Sequence, residues 1–265
     1  MWVALWNVER ATGEVAKLQD DVLDSIEADI AVLIEICASR DFQGRNCVRS
    51  SVDPTGGSWI AVIGNNVTLI EPLPTYEALA LHAMVEVDGA LVVIYGSVLP
   101  WMAFAHQAPD LVLPDETSAQ AFSRLLAEQV NDILALQQRF PDAHVLWAGD
   151  FNQTLEGPNF GGRAKSCSEL EAALDQVGMR AWNRQSEHAI AGICAIDFIC
   201  GPTSRAPSHI GRISNVDSSR RRLSDHAGYF IDLEPAQPCT GVLLSGDNYE
   251  MRLDDAQCVR GSVHV

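Results

Sequence analysis

The chain has 265 residues, 47% of them apolar, with 35 acidic and 18 basic side chains and a formal charge of −17 at pH 7. That apolar share builds a sizeable core and excludes a disordered chain, and the length suits one large α/β domain. A body this acidic repels bulk nucleic acid and anionic membrane, which excludes nonspecific coating of DNA but neither a local basic patch nor bound divalent cations. Seven cysteines, scattered and without CxxC or paired Cys/His spacing, read as reduced thiols rather than a disulfide frame or zinc site. No basic n-region with an apolar h-region opens the chain, and no apolar run has the length of a membrane span, so a cytoplasmic protein is expected.

In chain order, Trp2-Val3-Ala4-Leu5-Trp6 reads as a first strand ending at Asn7-Val8-Glu9. Val15, Leu18, Val22 and Ile26 recur at helical spacing and predict an amphipathic helix over 14–28. The apolar run 29–34 is the kind of strand buried on both faces, and it delivers Glu35. Residues 59–63 and 67–70 read as strands paired around Gly64-Asn65-Asn66, and 84–87 with 91–95 as a hairpin around Asp88-Gly89. A proline-bearing loop over 99–116 carries Trp101 and His106, and a long helix follows over 118–140, capped by Thr117 or Ser118.

The strand 145–149 then ends in Gly149-Asp150-Phe151-Asn152. On extended backbone Asp150 and Asn152 share a face, a seat for an anionic substrate and its water; a plain turn accounts for the same residue types. Beyond it come a glycine-rich loop over 157–165, a short helix over 168–177, and an apolar run over 193–200 interrupted by Asp197. Strands over 210–216 and 228–233 flank Arg220-Arg221-Arg222-Leu223-Ser224-Asp225-His226. A boundary falls after Glu234, leaving 1–233 as the main domain and 234–265 as an appendage with a hairpin expected around Gly246-Asp247-Asn248. Cys239 and Cys258 lie in that appendage and are expected to stay unbridged.

Polar residues thus stand at the ends of separate apolar strands: Asn7, Glu35, Asp150 with Asn152, Asp197, and Asp225 with His226. Each has a structural reading of its own. Asn7 suits a loop cap, Glu35 an ion pair with Arg40, and Asp197, an acid inside an apolar run, needs a partner such as His226. The joint pattern is harder to explain as structure.

In that order, Trp6-Asn7, Ile34-Glu35, Gly149-Asp150-Phe151-Asn152, Ile196-Asp197-Phe198-Ile199 and Ser224-Asp225-His226 resemble the endonuclease/exonuclease/phosphatase superfamily. The resemblance implies an α/β four-layered sandwich, two packed mixed β-sheets flanked by helices, with the site at one end between the sheets. It also implies a phosphoesterase using Mg²⁺ or Mn²⁺, with Glu35, Asn7 and Asp225 holding the metal or its shell. Asp150 would activate water, Asn152 orient it, and His226, steadied by Asp197, donate to the phosphate.

The chain departs from the family where many members carry a histidine after the strand over 91–95; here the segment reads Tyr95-Gly96-Ser97. Tyr95 or Ser97 would supply a hydroxyl there, or His106 reach back; His82, earlier in the chain, reads as structural. Five basic residues, Arg163, Lys165, Arg220, Arg221 and Arg222, form two candidate substrate-binding loops, and Trp101 and Trp182 are candidate stacking surfaces for bases. The substrate expected is a nucleic acid, DNA or RNA; the alternatives are a small phosphorylated molecule, or a catalytically inactive binding module. No obligate protein partner is implied.

Overall fold

The structure, a computed structural model, describes residues 1–42, 44–53 and 56–234, so the expected appendage with its hairpin and Cys239 and Cys258 lies outside the described residues. The first strand, β1 (Trp2–Asn7), and the second, β2 (Ile30–Ile36), run parallel, with Asn7 beside Ile34. Parallel neighbours need a crossover. Here it is α1 (Gly13–Ser25), which lays Leu18, Val22 and Leu23 over the outward residues Ala4, Trp6, Leu33 and Ile63. Further strands are β3 (Asn46–Arg49), β4 (Ser58–Gly64), β5 (Val67–Leu69), β6 (Ala80–Val87) and β7 (Ala90–Val98).

A helical turn, α2 (Phe104–Gln107), interrupts the loop after β7 and buries Phe104. The long helix α3 (Ser118–Arg139) starts at a capping box in which Thr117 and Gln120 satisfy each other's exposed backbone amides. It crosses from β7 to the parallel β8 (His144–Asp150). The rest is α4 (Ala164–Gln176), β9 (Met179–Ala181), β10 (Asp197–Pro202), β11 (His209–Ile213) and β12 (Gly228–Asp232).

Two six-stranded sheets result, in the orders β11-β12-β1-β2-β4-β3 and β5-β6-β7-β8-β10-β9. Their inner faces meet in one core, where Val3, Leu5, Val32, Ile34, Ile60 and Val62 of the first sheet join Val85, Val92, Ile94 and Ile199 of the second. With α1 outside one sheet and α3 and α4 outside the other, the layers are helix, sheet, sheet, helix. Each sheet has one parallel pair, β1/β2 and β7/β8, and open α/β sheets place ligands beyond the carboxyl ends of such strands. No helix among the described residues is long and apolar enough to cross a membrane.

Three expectations are corrected. Residues 59–63 and 67–70 do not pair: β4 has β2 and β3 on its two edges, so the Asn65-Asn66 turn carries the chain to β5 in the other sheet. Asp197, expected inside an apolar run, instead opens a strand, since ahead of it Cys194 bridges to Glu187 in a turn of the preceding loop. The helix expected over 168–177 starts at Ala164, which moves Lys165 from loop to helix. The 84–87/91–95 hairpin stands as expected, its turn made by Asp88 and Gly89 at φ +51° and +77°.

Candidate active site

Asn7 ends β1, and Glu35 sits in β2 just past the Asn7–Ile34 pair, held at φ +57°. A left-handed backbone is uncommon for a non-glycine residue and here re-aims the carboxylate at the strand end. From the other sheet, Asp150 ends β8 and stands directly opposite Asp197, the first residue of β10. The loop before β12 brings in His226: Ser224 Oγ donates to the Asn7 carbonyl at 2.7 Å and accepts the His226 amide at 3.1 Å. Residues 7, 35, 150, 197, 225 and 226 therefore meet between the two sheets.

The Asn7 amide joins the two halves. Its Nδ2 donates to Glu35 Oε1 at 3.1 Å and to Asp150 Oδ2 at 3.2 Å, while its Oδ1 accepts the Glu9 amide at 3.0 Å. Asn7 thus orders the Glu35 and Asp150 carboxylates through its amide nitrogen. His226 Nδ1 meets Asp197 Oδ2 at 2.7 Å, and its Nε2 lies 4.0 Å from Asp150 Oδ2 and 3.9 Å from Asp225 Oδ1. The Asn152 amide donates to Asp150 Oδ1 at 2.9 Å and its side chain to the Leu99 carbonyl at 3.0 Å, so Asn152 braces the carboxylate from behind.

Burial, then the Asp197 charge, pushes Asp150 up from 3.8 to about 8. Burial opposes charge on His226, but Asp197, by charge and by hydrogen bond, and Asp150 outweigh it and raise the imidazole from 6.5 to about 10. Glu35 is also raised, by burial first, with Asp225 adding to the effect against the Asn7 hydrogen bond, His226 and Arg10. Four carboxylates, of Glu35, Asp150, Asp197 and Asp225, gather here around one imidazole, and such a cluster is stabilised by added positive charge. The hard oxygen donors of Glu35 and Asp225 are of the type that suits a Mg²⁺- or Mn²⁺-type ion. The pairing of Glu35 with Arg40 does not occur: Arg40 lies under α1, bonded to Asp20 and Gln19 at 2.6 Å each.

No family model matches the sequence, and no curated protein matches it. Solved structures do. The endonuclease domain of TRAS1, a telomere-specific non-LTR retrotransposon, superposes with a TM-score of 0.62 at 13% identity, over 89% of this chain and 99% of that one. An endonuclease/exonuclease/phosphatase family protein from Bacteroides thetaiotaomicron gives 0.58 at 12% identity, over 87% and 96%. A humanized D. rerio TDP2 gives 0.54 at 16%, over 87% and 97%. The fold is that of the endonuclease/exonuclease/phosphatase superfamily.

Several candidates lie elsewhere in that fold. On β7, Gly96 faces the inner core, where an added Cβ would strike Ile60, so Tyr95 and Ser97 face the helix layer. Tyr95 is fully buried and donates to Asp132 of α3 at 3.1 Å, and Ser97 accepts the Trp147 indole at 2.8 Å. Neither reaches substrate. His106 is exposed on α2, and His82 is buried against the Tyr95 ring, its imidazole pushed down by burial. Trp182 is core, donating to the Arg205 carbonyl at 3.2 Å; Trp101, half-buried, stacks on Trp59 at 5.4 Å.

Of the basic residues, Arg222 reaches the site, pairing with Glu9 and lying 3.9 Å from Asp225. Arg221 is taken by Glu14 at 2.7 Å and Lys165 by Glu169 at 3.1 Å. Arg163 and Arg220 are exposed. The glycine-rich loop holding Arg163 folds against the motif: at Gly161, φ +79°, a Cβ would lie 2.4 Å from the Asn152 carbonyl. One residue at the site escaped sequence reasoning. His188, in the loop between β9 and β10, is buried with its ring 5.2 Å from that of His226. Its one signal was a polar residue just ahead of the Asp197 segment, too weak to separate from loop composition.

Proposed function

We propose that the chain is a divalent-metal-dependent phosphoesterase that hydrolyses phosphodiester bonds, acting as a nuclease on DNA or RNA. The observation that carries this reading is the convergence, from two sheets, of Glu35 and Asp225 on one side with Asp150 and an Asp197-bound His226 on the other. The names of the similar structures, an endonuclease domain and an endonuclease/exonuclease/phosphatase family protein, point the same way.

Glu35 and Asp225 would hold a Mg²⁺ or Mn²⁺ ion, which would offset the acids and supply positive charge to a phosphoryl oxygen and the leaving oxyanion. Asn7 keeps the Glu35 and Asp150 carboxylates apart and aimed. Asp150 takes the proton of the attacking water, its backbone-held oxygen fixed by the Asn152 amide. His226, cationic below about 10, donates through Nε2 to the phosphate oxygens as charge grows there, while Asp197 holds Nδ1. Arg222, Arg220 and Arg163 provide the cationic contacts along the substrate backbone.

A second reading has its own support. Arg221, Arg222 and Lys165 are engaged by acids of the chain, which thins the basic rim and favours a small phosphorylated molecule such as a nucleotide or inositol phosphate. One panel separates these and the inactive binding module. Labelled single- and double-stranded DNA and RNA are incubated with Mg²⁺ or Mn²⁺, beside phosphate release from nucleotides and inositol phosphates. Strand cleavage supports the nuclease, phosphate release alone the phosphatase, and no turnover of either the binding module.

A further inference from the structure

The loop between β9 and β10 folds back through a bridge between Glu187 and Cys194, and seats His188 beside the His226–Asp197 pair. His188 is 4% exposed. Its Nδ1 accepts the Ile190 backbone amide at 3.1 Å, so the neutral ring carries its proton on Nε2 and is a donor there. That Nε2 is buried with no hydrogen-bond partner. So is Asp197 Oδ1, the carboxylate oxygen that His226 leaves free. A ring nitrogen of His188, a carboxylate oxygen of Asp197 and a ring nitrogen of His226 lie within 4.8 Å of one another.

A buried donor of His188 and a buried acceptor of Asp197, each without a partner, belong to side chains that bring a ligand atom of each within 4.8 Å of the other. Each would be costly alone, and a small ring rotation or one bridging water satisfies both. These three side chains also have the ligand types of a metal site. Hydrogen bonding accounts for them better, because the His226 Nδ1 is engaged at 2.7 Å by Asp197 and the His188 Nδ1 by Ile190. Burial and the neighbouring His226 cation both keep His188 neutral, as a donor that must not add charge would be.

We propose that His188 is a positioning residue that holds Asp197 through its Oδ1, completing a His188–Asp197–His226 chain that fixes the imidazole aimed at the phosphate. Its effect on turnover rests on the phosphoesterase reading above. With both oxygens engaged, the Asp197 carboxylate cannot rotate, and the His226 ring it carries keeps its Nε2 towards Asp150 and the substrate.

The test compares H188F and H188L, which remove the donor, with H188Q, whose amide nitrogen replaces it near the position of Nε2. In H188F and H188L, kcat falls about 10-fold with KM within about twofold of the parent, and H188Q recovers most of the loss. In metal-free full-length protein, the downfield proton resonance of the His226 Nδ1–H shifts in H188F and returns in H188Q. Wild-type kcat in H188F and H188L overturns the proposal. So does equal loss in all three variants, which marks packing, or a His226 resonance unmoved in H188F. If the parent itself hydrolyses no phosphoester, the phosphoesterase reading fails, and the resonance, which needs no turnover, still decides the role of His188.

Discussion

Asp150 and Asp197 face each other across an antiparallel strand pair, both buried, with a single imidazole between them. Burial first, and the Asp197 charge after it, drive the Asp150 carboxyl up to about 8, while the attraction of Asp197 and Asp150 outweighs burial and raises the imidazole to about 10. Two predictions follow from the direction of these shifts. Asp150 is raised above its unfolded value, so the metal-free folded chain binds the extra proton, and stability falls as pH rises from about 3.8 to about 8. In chelator, Asp150→Asn therefore flattens the melting-temperature profile across that window and is more stable than the parent above it, while activity with metal drops by about 10²-fold or more. His226 stays cationic up to about 10 chiefly because of Asp197, against the effect of burial. Asp197→Asn shifts the alkaline limb of the pH–rate profile towards the ordinary imidazole value of 6.5; an unmoved limb would mean that another group sets it.

At the scale of elements, the site is carried by strand ends, and that decides what could be read from the sequence. Asn7, Glu35 and Asp150 each close an apolar run, so a change in composition marked them. The face of β7 was not marked: all of 90–98 is apolar or small, and alternation gives no phase, so Tyr95 and Ser97 were assigned to the wrong side. Strand β3, four half-exposed residues at a sheet edge, and β9, three residues long, are too short for any periodicity. His188 owes its place to a loop fold that no local pattern encodes. Two substitutions test the scaffold apart from the chemistry. A Cβ at Gly149 would lie 1.7 Å from the Ser97 carbonyl, so Gly149→Ala forces β7 and β8 apart and costs more than about 2 kcal/mol in urea unfolding. Thr117→Ala removes the α3 cap for about 1 kcal/mol and leaves kcat unchanged, since that helix lies on the outer layer.

For the molecule as a whole, a charge of −17 and a rim in which acids of the chain pair with Arg221, Arg222 and Lys165, beside the exposed Arg163 and Arg220, mean few phosphate contacts. Binding of a nuclease substrate should then weaken only shallowly with salt, with a log–log slope between about −1 and −3; a much steeper slope would place the substrate on other surfaces. Every residue of the proposed site falls between 7 and 226, so we propose that residues 1–234 suffice for turnover, and a chain ended after Glu234 should retain it. The claim on which the rest depends is that a divalent cation belongs at the Glu35–Asp225 side of the pocket while the His188–Asp197–His226 side stays hydrogen-bonded. Anomalous scattering from a crystal soaked in Mn²⁺ measures this directly. The account predicts a peak about 2.0–2.5 Å from a Glu35 oxygen. A peak at the histidines, or none in the pocket, would contradict it.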